Sequence, residues 1–533
     1  MATIEKSTQQ TWTTQEVQHL LGRIELAIAP SRVQRFTQMT CLETVDAILR
    51  EAAEAPLPQP PSWVQEPWVN TERRYADTTP EEFRGKHGAT NRRYREETAD
   101  LRRWWFAQMV DSPVPLREVM TLFWHGHFAS SIGKVLISQA MYHQNAKQRQ
   151  LAVGNFRDLL REMVLDGAMM IYLDLEDSDR KSPNENFARE LFELFALGVD
   201  NYDQADIREA ARALSGLILD APEDHPLPNR PTDPTDNRRF TRDGITPRLD
   251  PALHDAGSKT IFGTQGRFGV EEVIELTVSQ PTCGPFLAGK LIDYFGVDDP
   301  QGAVQARMAD AFQVSGFEIS AMLRVLWSAP EFYSPESRGK LIKSPLALLA
   351  GACRQLEAKL EFTPGINRYT TAMGQELFNP PNVKGWPGGK TWIGSGTLAL
   401  RYHLADVLLD SQEPSGMSPL GRDRGRPVPV PKDPQQRRQM LQRMAGGPPD
   451  GAQRERGASK EFQVQLSVPR LFPEGIPEEP EELIDTLLQR MLSIAPRASL
   501  RAAALEVATR HPGQQRVTEV VRLILATPDY QIA

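Results

Sequence analysis

Apolar residues recur at three- and four-residue intervals along most of this chain, a spacing that predicts helices. Val17, Leu20, Leu21, Ile24 and Leu26 form one such face behind Thr14, a residue able to cap a helix. A second helix is expected at 41–55, before Ala55-Pro-Leu-Pro-Gln-Pro-Pro-Ser-Trp63 breaks regular structure. The densest helical pattern runs from about 90 to 220, over 102–109, 116–127, 132–145, 150–165, 183–197 and 204–217. Seven prolines between 222 and 251 then exclude a long helix, and Arg239-Phe-Thr-Arg-Asp-Gly-Ile245 fits a small hairpin. Helices resume at 270–278, 283–295, 303–312, 319–329 and 344–360, and two more close the chain at 481–492 and 517–525. Leu326-Trp-Ser-Ala-Pro-Glu-Phe332 and Leu525-Ala-Thr-Pro-Asp-Tyr530 share a helix-stop pattern of proline, acid and aromatic.

The pattern predicts a mainly α, multi-helical globular protein with a Pro-rich loop and hairpin insertion and a second, flexible insertion. At 533 residues the chain exceeds one ordinary domain. Its expected divisions are a helical segment at 1–54, a Pro-rich linker at 55–90 and a helical core at 91–270. A second helical unit follows at 271–410, then an Arg-, Pro- and Gly-rich insertion at 411–470, and helices at 471–533 that pack back on the second unit. No apolar run approaches the roughly 18 residues of a membrane span. The polar N-terminus shows no export signal, so the cytoplasm is the default compartment. Three scattered cysteines argue against a disulfide framework. A net charge of −8 argues against nucleic acid as the main partner.

Candidate chemistry concentrates in two places. His125 and His127 flank Gly126 inside Phe123-Trp-His-Gly-His-Phe128, a chelating spacing for transition metals. On a regular helix, positions i and i+2 point about 200° apart, so a shared ion requires the break that Gly126 permits. The alternative is two packed histidines satisfied by backbone carbonyls. Downstream, Ser182, Pro183 and Glu185 read as an N-cap, a first-turn proline and a capping-box partner. Asn186, Arg189, Glu190 and Glu193 continue as a polar stripe, suited either to a solvated face or to a buried network.

His254, beside a glycine-containing loop, is a third candidate ligand or acid/base. The segment Phe378-Asn-Pro-Pro-Asn-Val-Lys-Gly-Trp-Pro-Gly-Gly389 reads as a plug between helical units in preference to a pocket wall. A phosphate-binding loop, a nucleophile elbow and an H-E-x-x-H motif are all absent.

These landmarks together resemble a family catalogued as domain of unknown function 1800 (DUF1800). The resemblance rests on Phe123-Trp-His-Gly-His-Phe-Ala129, Gly154-Asn-Phe-Arg-Asp-Leu-Leu160, Pro183-Asn-Glu-Asn-Phe-Ala-Arg-Glu-Leu191, His254-Asp-Ala-Gly-Ser-Lys259, Asn379-Pro-Pro381 and Gly385-Trp-Pro387. It implies a largely helical fold and a bacterial source, without an activity. Many relatives look exported, and their genes neighbour a family resembling alkaline phosphatases and sulfatases. This chain departs from them with Arg23-Ile-Glu-Leu-Ala27, where relatives carry an Arg-Ala-Gly-Phe-Gly turn.

Two functions follow as expectations. The first is a metal-dependent hydrolase or oxidoreductase. His125, His127 and Glu185 would bind a divalent transition metal (zinc or iron, copper also compatible), with Glu190, Arg189 and His254 completing or supporting the site. The second is a non-catalytic scaffold or maturation partner for an alkaline-phosphatase- or sulfatase-like protein.

Overall fold

Capping begins one residue earlier than the periodicity alone suggests. In the computed structural model, Thr13 rather than Thr14 caps the first helix, Thr14–Ile24, and Glu16 closes a capping box with it. The same device opens Cys41–Glu54, where Thr40 and Glu43 cap each other reciprocally. The structure describes residues 12–66, 80–220, 245–409, 464–465 and 467–533.

The fold is mainly α-helical, with three two-stranded antiparallel sheets among the described residues. Leu217–Asp220 pairs with Thr246–Leu249, Lys259–Ile261 with Thr264–Gly266, and Lys359–Leu360 with Val464–Gln465. The hairpin expected at 239–245 lies outside the described residues, Ile245 excepted. Most of the 411–470 insertion lies outside them too, although its last residues form the strand at 464–465 and the short helix Val468–Leu471. The helix Pro80–Asp111 begins inside the stretch expected as linker and carries Leu101, Trp105, Phe106 and Met109 into the core.

One contiguous set of buried apolar side chains runs from Val17 to Tyr530. At its centre lies Pro115–His127, which is buried on nearly every side. A helix buried all round belongs inside a larger protein, and polar contacts fix this one. Trp124 Nε1 donates to the Ala152 carbonyl at 2.8 Å. Glu118 accepts a bidentate pair from Arg149 at 2.9 Å, both groups being excluded from solvent. Planar, two-pronged pairing is the geometry in which a buried guanidinium and carboxylate satisfy each other.

The C-terminus returns to the middle of the molecule. The Leu341 and Ala533 backbones exchange hydrogen bonds of 3.3 and 2.8 Å, and Lys343 N donates to the Gln531 carbonyl at 3.0 Å. Both helix-stop patterns become short 3-10 turns, Pro330–Tyr333 and Pro528–Gln531, which bury Phe332 and Tyr530. No helix among the described residues is long and apolar enough to cross a membrane.

Candidate active-site cleft

The helix Pro115–His127 does not break at Gly126. Phe128 N still bonds the Trp124 carbonyl at 2.7 Å, so His125 and His127 leave the helix on different sides. Gly126 instead admits a neighbour. Trp386 packs over it, and the Gly385 backbone lies so close that a side chain at 385 would collide with the Gly126 carbonyl. Gly385 also has φ +76°, a conformation L side chains rarely adopt.

His127 faces a cleft of about 600 Å³. The 115–127 helix contributes Val119, Leu122, Phe123 and His127 to it, and the helix Cys283–Phe295 contributes Lys290, Asp293 and Tyr294. Lys340 to Ser344 form another wall, Gly22, Arg23 and Leu26 a third, and Trp386 to Gly389 with Trp392 a fourth. The 378–389 segment therefore does both things weighed for it. Its Phe378 end plugs the core against Trp105, with ring centroids 4.8 Å apart, and its Trp386 end walls the cleft.

His127 is held in one tautomer. Its Nε2 lies 2.9 Å from the Phe195 carbonyl, which can only accept, so Nε2 carries the proton and Nδ1 the lone pair. Burial, opposed by that hydrogen bond and reinforced by nearby Lys290, lowers its pKa to about 3, and the ring is neutral at pH 7. Phe195 sits near the end of a π-helix, Leu191–Ala196, where the last carbonyls lack helical partners. This widened turn also brings Leu194 to the cleft.

His125 has the opposite surroundings. It is fully buried among Trp105, Phe378 and Trp386, at centroid distances of 5.2, 5.3 and 5.6 Å. Neither ring nitrogen has a hydrogen-bond partner, and burial lowers its pKa to about 3.

The remaining expected site residues gather elsewhere. Asn184, not Ser182, caps the helix Glu185–Glu190, its side chain accepting from Phe187 N at 3.1 Å. Ser182 belongs instead to a turn organised by Asp179. Asn184 prevails because its amide also donates to the Leu173 and Asp174 carbonyls, both at 2.8 Å, tying the cap to the preceding turn. Glu185 thus opens the helix and is not a capping-box partner.

Glu185 accepts from Gln204 at 2.7 Å, and Arg189 donates to the same Gln204 at 3.0 Å. Glu190 is half-buried, and its pKa is raised by burial and by Glu193, while Lys384 of the cleft wall opposes the shift. His254 Nδ1 donates to the Ser215 carbonyl at 2.9 Å, beside the Asp255–Arg212 ion pair. Among the described residues, no group of three or more His, Cys, Asp or Glu side chains is arranged to hold a metal ion.

The cleft's cations were not legible as site residues. Arg23, Lys290, Lys343 and Lys384 are more than 350 residues apart at the extremes and sit in no motif that singles out a positive charge. His127 and the 378–389 segment were the cleft residues that the sequence singled out.

The chain belongs to the family described as "Protein of unknown function (DUF1800)", whose model matches residues 19–532. No curated protein and no solved structure matches it.

Proposed function

We propose that this protein acts on a small molecule held in the cleft, with His127 as the neutral imidazole that accepts a hydrogen bond from it. The observation that carries this reading is the ring's fixed tautomer at the wall of a cavity of ligand size. A histidine kept neutral, with one nitrogen tied to a carbonyl, keeps its other nitrogen a pre-oriented hydrogen-bond acceptor. The aromatic walls, Phe123, Tyr294 and Trp386, supply apolar contact area, while the charged groups can orient a ligand.

Native mass spectrometry of the full chain against a small-molecule library tests this. Ligands should bind the wild type, weaken on His127→Asn and be excluded by Leu194→Trp, which fills the half-buried edge of the cleft. Ligands that bind all three proteins alike would place the site elsewhere.

Metal-dependent catalysis is a second reading, favoured by His125, an imidazole with both nitrogens buried and unpartnered. An unsatisfied buried polar group of this kind calls for an explanation such as an ion or water. For His125 and His127 to share an ion, the helix would have to unwind at Gly126. Metal content measured by plasma mass spectrometry on wild type and His125→Ala decides it. Near-stoichiometric metal lost in a folded variant supports the reading, and metal-free wild type overturns it.

A further inference from the structure

On a chain of net charge −8, the cleft is lined by five cations, Arg23, Lys290, Lys340, Lys343 and Lys384, and one carboxylate, Asp293. Lys340 is neutralised by Asp298 at 2.5 Å. No carboxylate lies within ion-pair distance of the other four among the described residues. Arg23 is buried, a state that charged side chains rarely adopt without a counter-charge.

Arg23 is 4% exposed, and its guanidinium donates to the backbone carbonyls of Phe295, Gly296 and Ser337 and stands over the Phe332 ring. Its Nε is buried with no partner at all. Arginine carries five donors in a fixed fork and no acceptor, and no carboxylate is among the groups that receive them here. Lys343 is buried too, but its amine rests on the Tyr530 carbonyl at 2.9 Å and over the Tyr530 ring, and burial with nearby Arg401 lowers its pKa to about 7. Around these charges stand Phe123, Tyr294 and Trp386.

We propose that the ligand of this cleft is an organic anion, its charge set against Arg23, Lys290 and Lys384 and its apolar body against Phe123 and Trp386. The inference rests on the reading of the cleft as a small-molecule site and adds the ligand's chemical class. A cleft of one sign with low-dielectric walls focuses potential and draws in the opposite charge. The uncompensated buried guanidinium gains a counter-charge only when such a ligand is bound.

Titration calorimetry of the full chain tests this with 2-naphthoate, 4-phenylbutyrate and 2-naphthyl phosphate against the neutral 2-naphthamide. Arg23 is too deep to vary safely, so the exposed pair Lys290→Gln/Lys384→Gln probes the charge and Leu194→Trp the cleft. At least one anion should bind about tenfold or more tightly than the amide, a preference that shrinks in the double variant. Carboxylate and phosphate arms distinguish the two anion classes, and either one alone supports the proposal. If the amide binds as well as the anions and Leu194→Trp abolishes both, the cleft is a ligand site but the anion inference is overturned. If no member of the panel binds, both fall.

Discussion

His125 and His127 stand one residue apart on the same helix and occupy opposite chemical worlds. His127 spends one nitrogen on a backbone carbonyl and shows its ring to a charged cleft. His125 has no polar contact and is enclosed by three aromatic rings. The intact helix makes this difference, because it turns about 200° between them. A two-histidine spacing that suggests a shared ligand on an extended strand separates the rings on a helix.

The largest effect is expected at the glycine contact between the two rings. Gly385→Ala forces a side chain into the Gly126 carbonyl at a positive-φ position and should destabilise the fold by about 2–4 kcal/mol in denaturant melts. A change within ~0.5 kcal/mol would mean that the Trp386 segment does not seat on the helix as described.

Substituting each ring by phenylalanine should then give opposite signs. His127→Phe leaves the Phe195 carbonyl without its donor and should cost about 1–2 kcal/mol. His125→Phe removes two unpaired nitrogens from an apolar enclosure and should be neutral or stabilise by up to about 1 kcal/mol. Equal losses at both positions would show that His125 has a polar partner after all.

Acid sensitivity sharpens the pairing further. His125 and His127, with His19, are lowered from 6.5 to about 3, chiefly by burial, so the unfolded chain binds their protons first. Their contribution to stability is complete above about pH 6.5 and is lost as pH falls toward 3. His125→Phe should flatten that slope in urea midpoints measured between pH 4 and 7.

Lys343 is lowered from 10.5 to about 7 by burial and by Arg401, so stability should rise with pH between those values. Lys343→Met should remove this rise. The smallest effect belongs to Arg189→Ala, whose exposed bond to Gln204 should matter by less than about 0.5 kcal/mol.

Much of this architecture could be read from the chain. The periodicity of 115–127 marked a helix, and the two helix-stop patterns became matching 3-10 turns. Where reading failed, nonlocal contacts decided the outcome. Ser182 is as competent a cap as Asn184, and only the Leu173 and Asp174 carbonyls favour the latter. The π-helix at 191–196 has no local signature in a run of Leu, Phe and Glu, yet it sets where Phe195 meets His127. Arg23, Lys290 and Lys384 look like ordinary surface charges until five chain segments bring them to one cleft.

His127 is held as a neutral, single-tautomer imidazole at the wall of the cleft. Nitrogen NMR of histidine-labelled protein measures this directly. The ring should show an Nε2–H tautomer that does not titrate between pH 5 and 8, with an Nδ1 resonance that moves when a cleft ligand binds. A His127 that titrates near 6.5, its ordinary value, or an Nδ1 unmoved by a ligand that Leu194→Trp excludes, would contradict it.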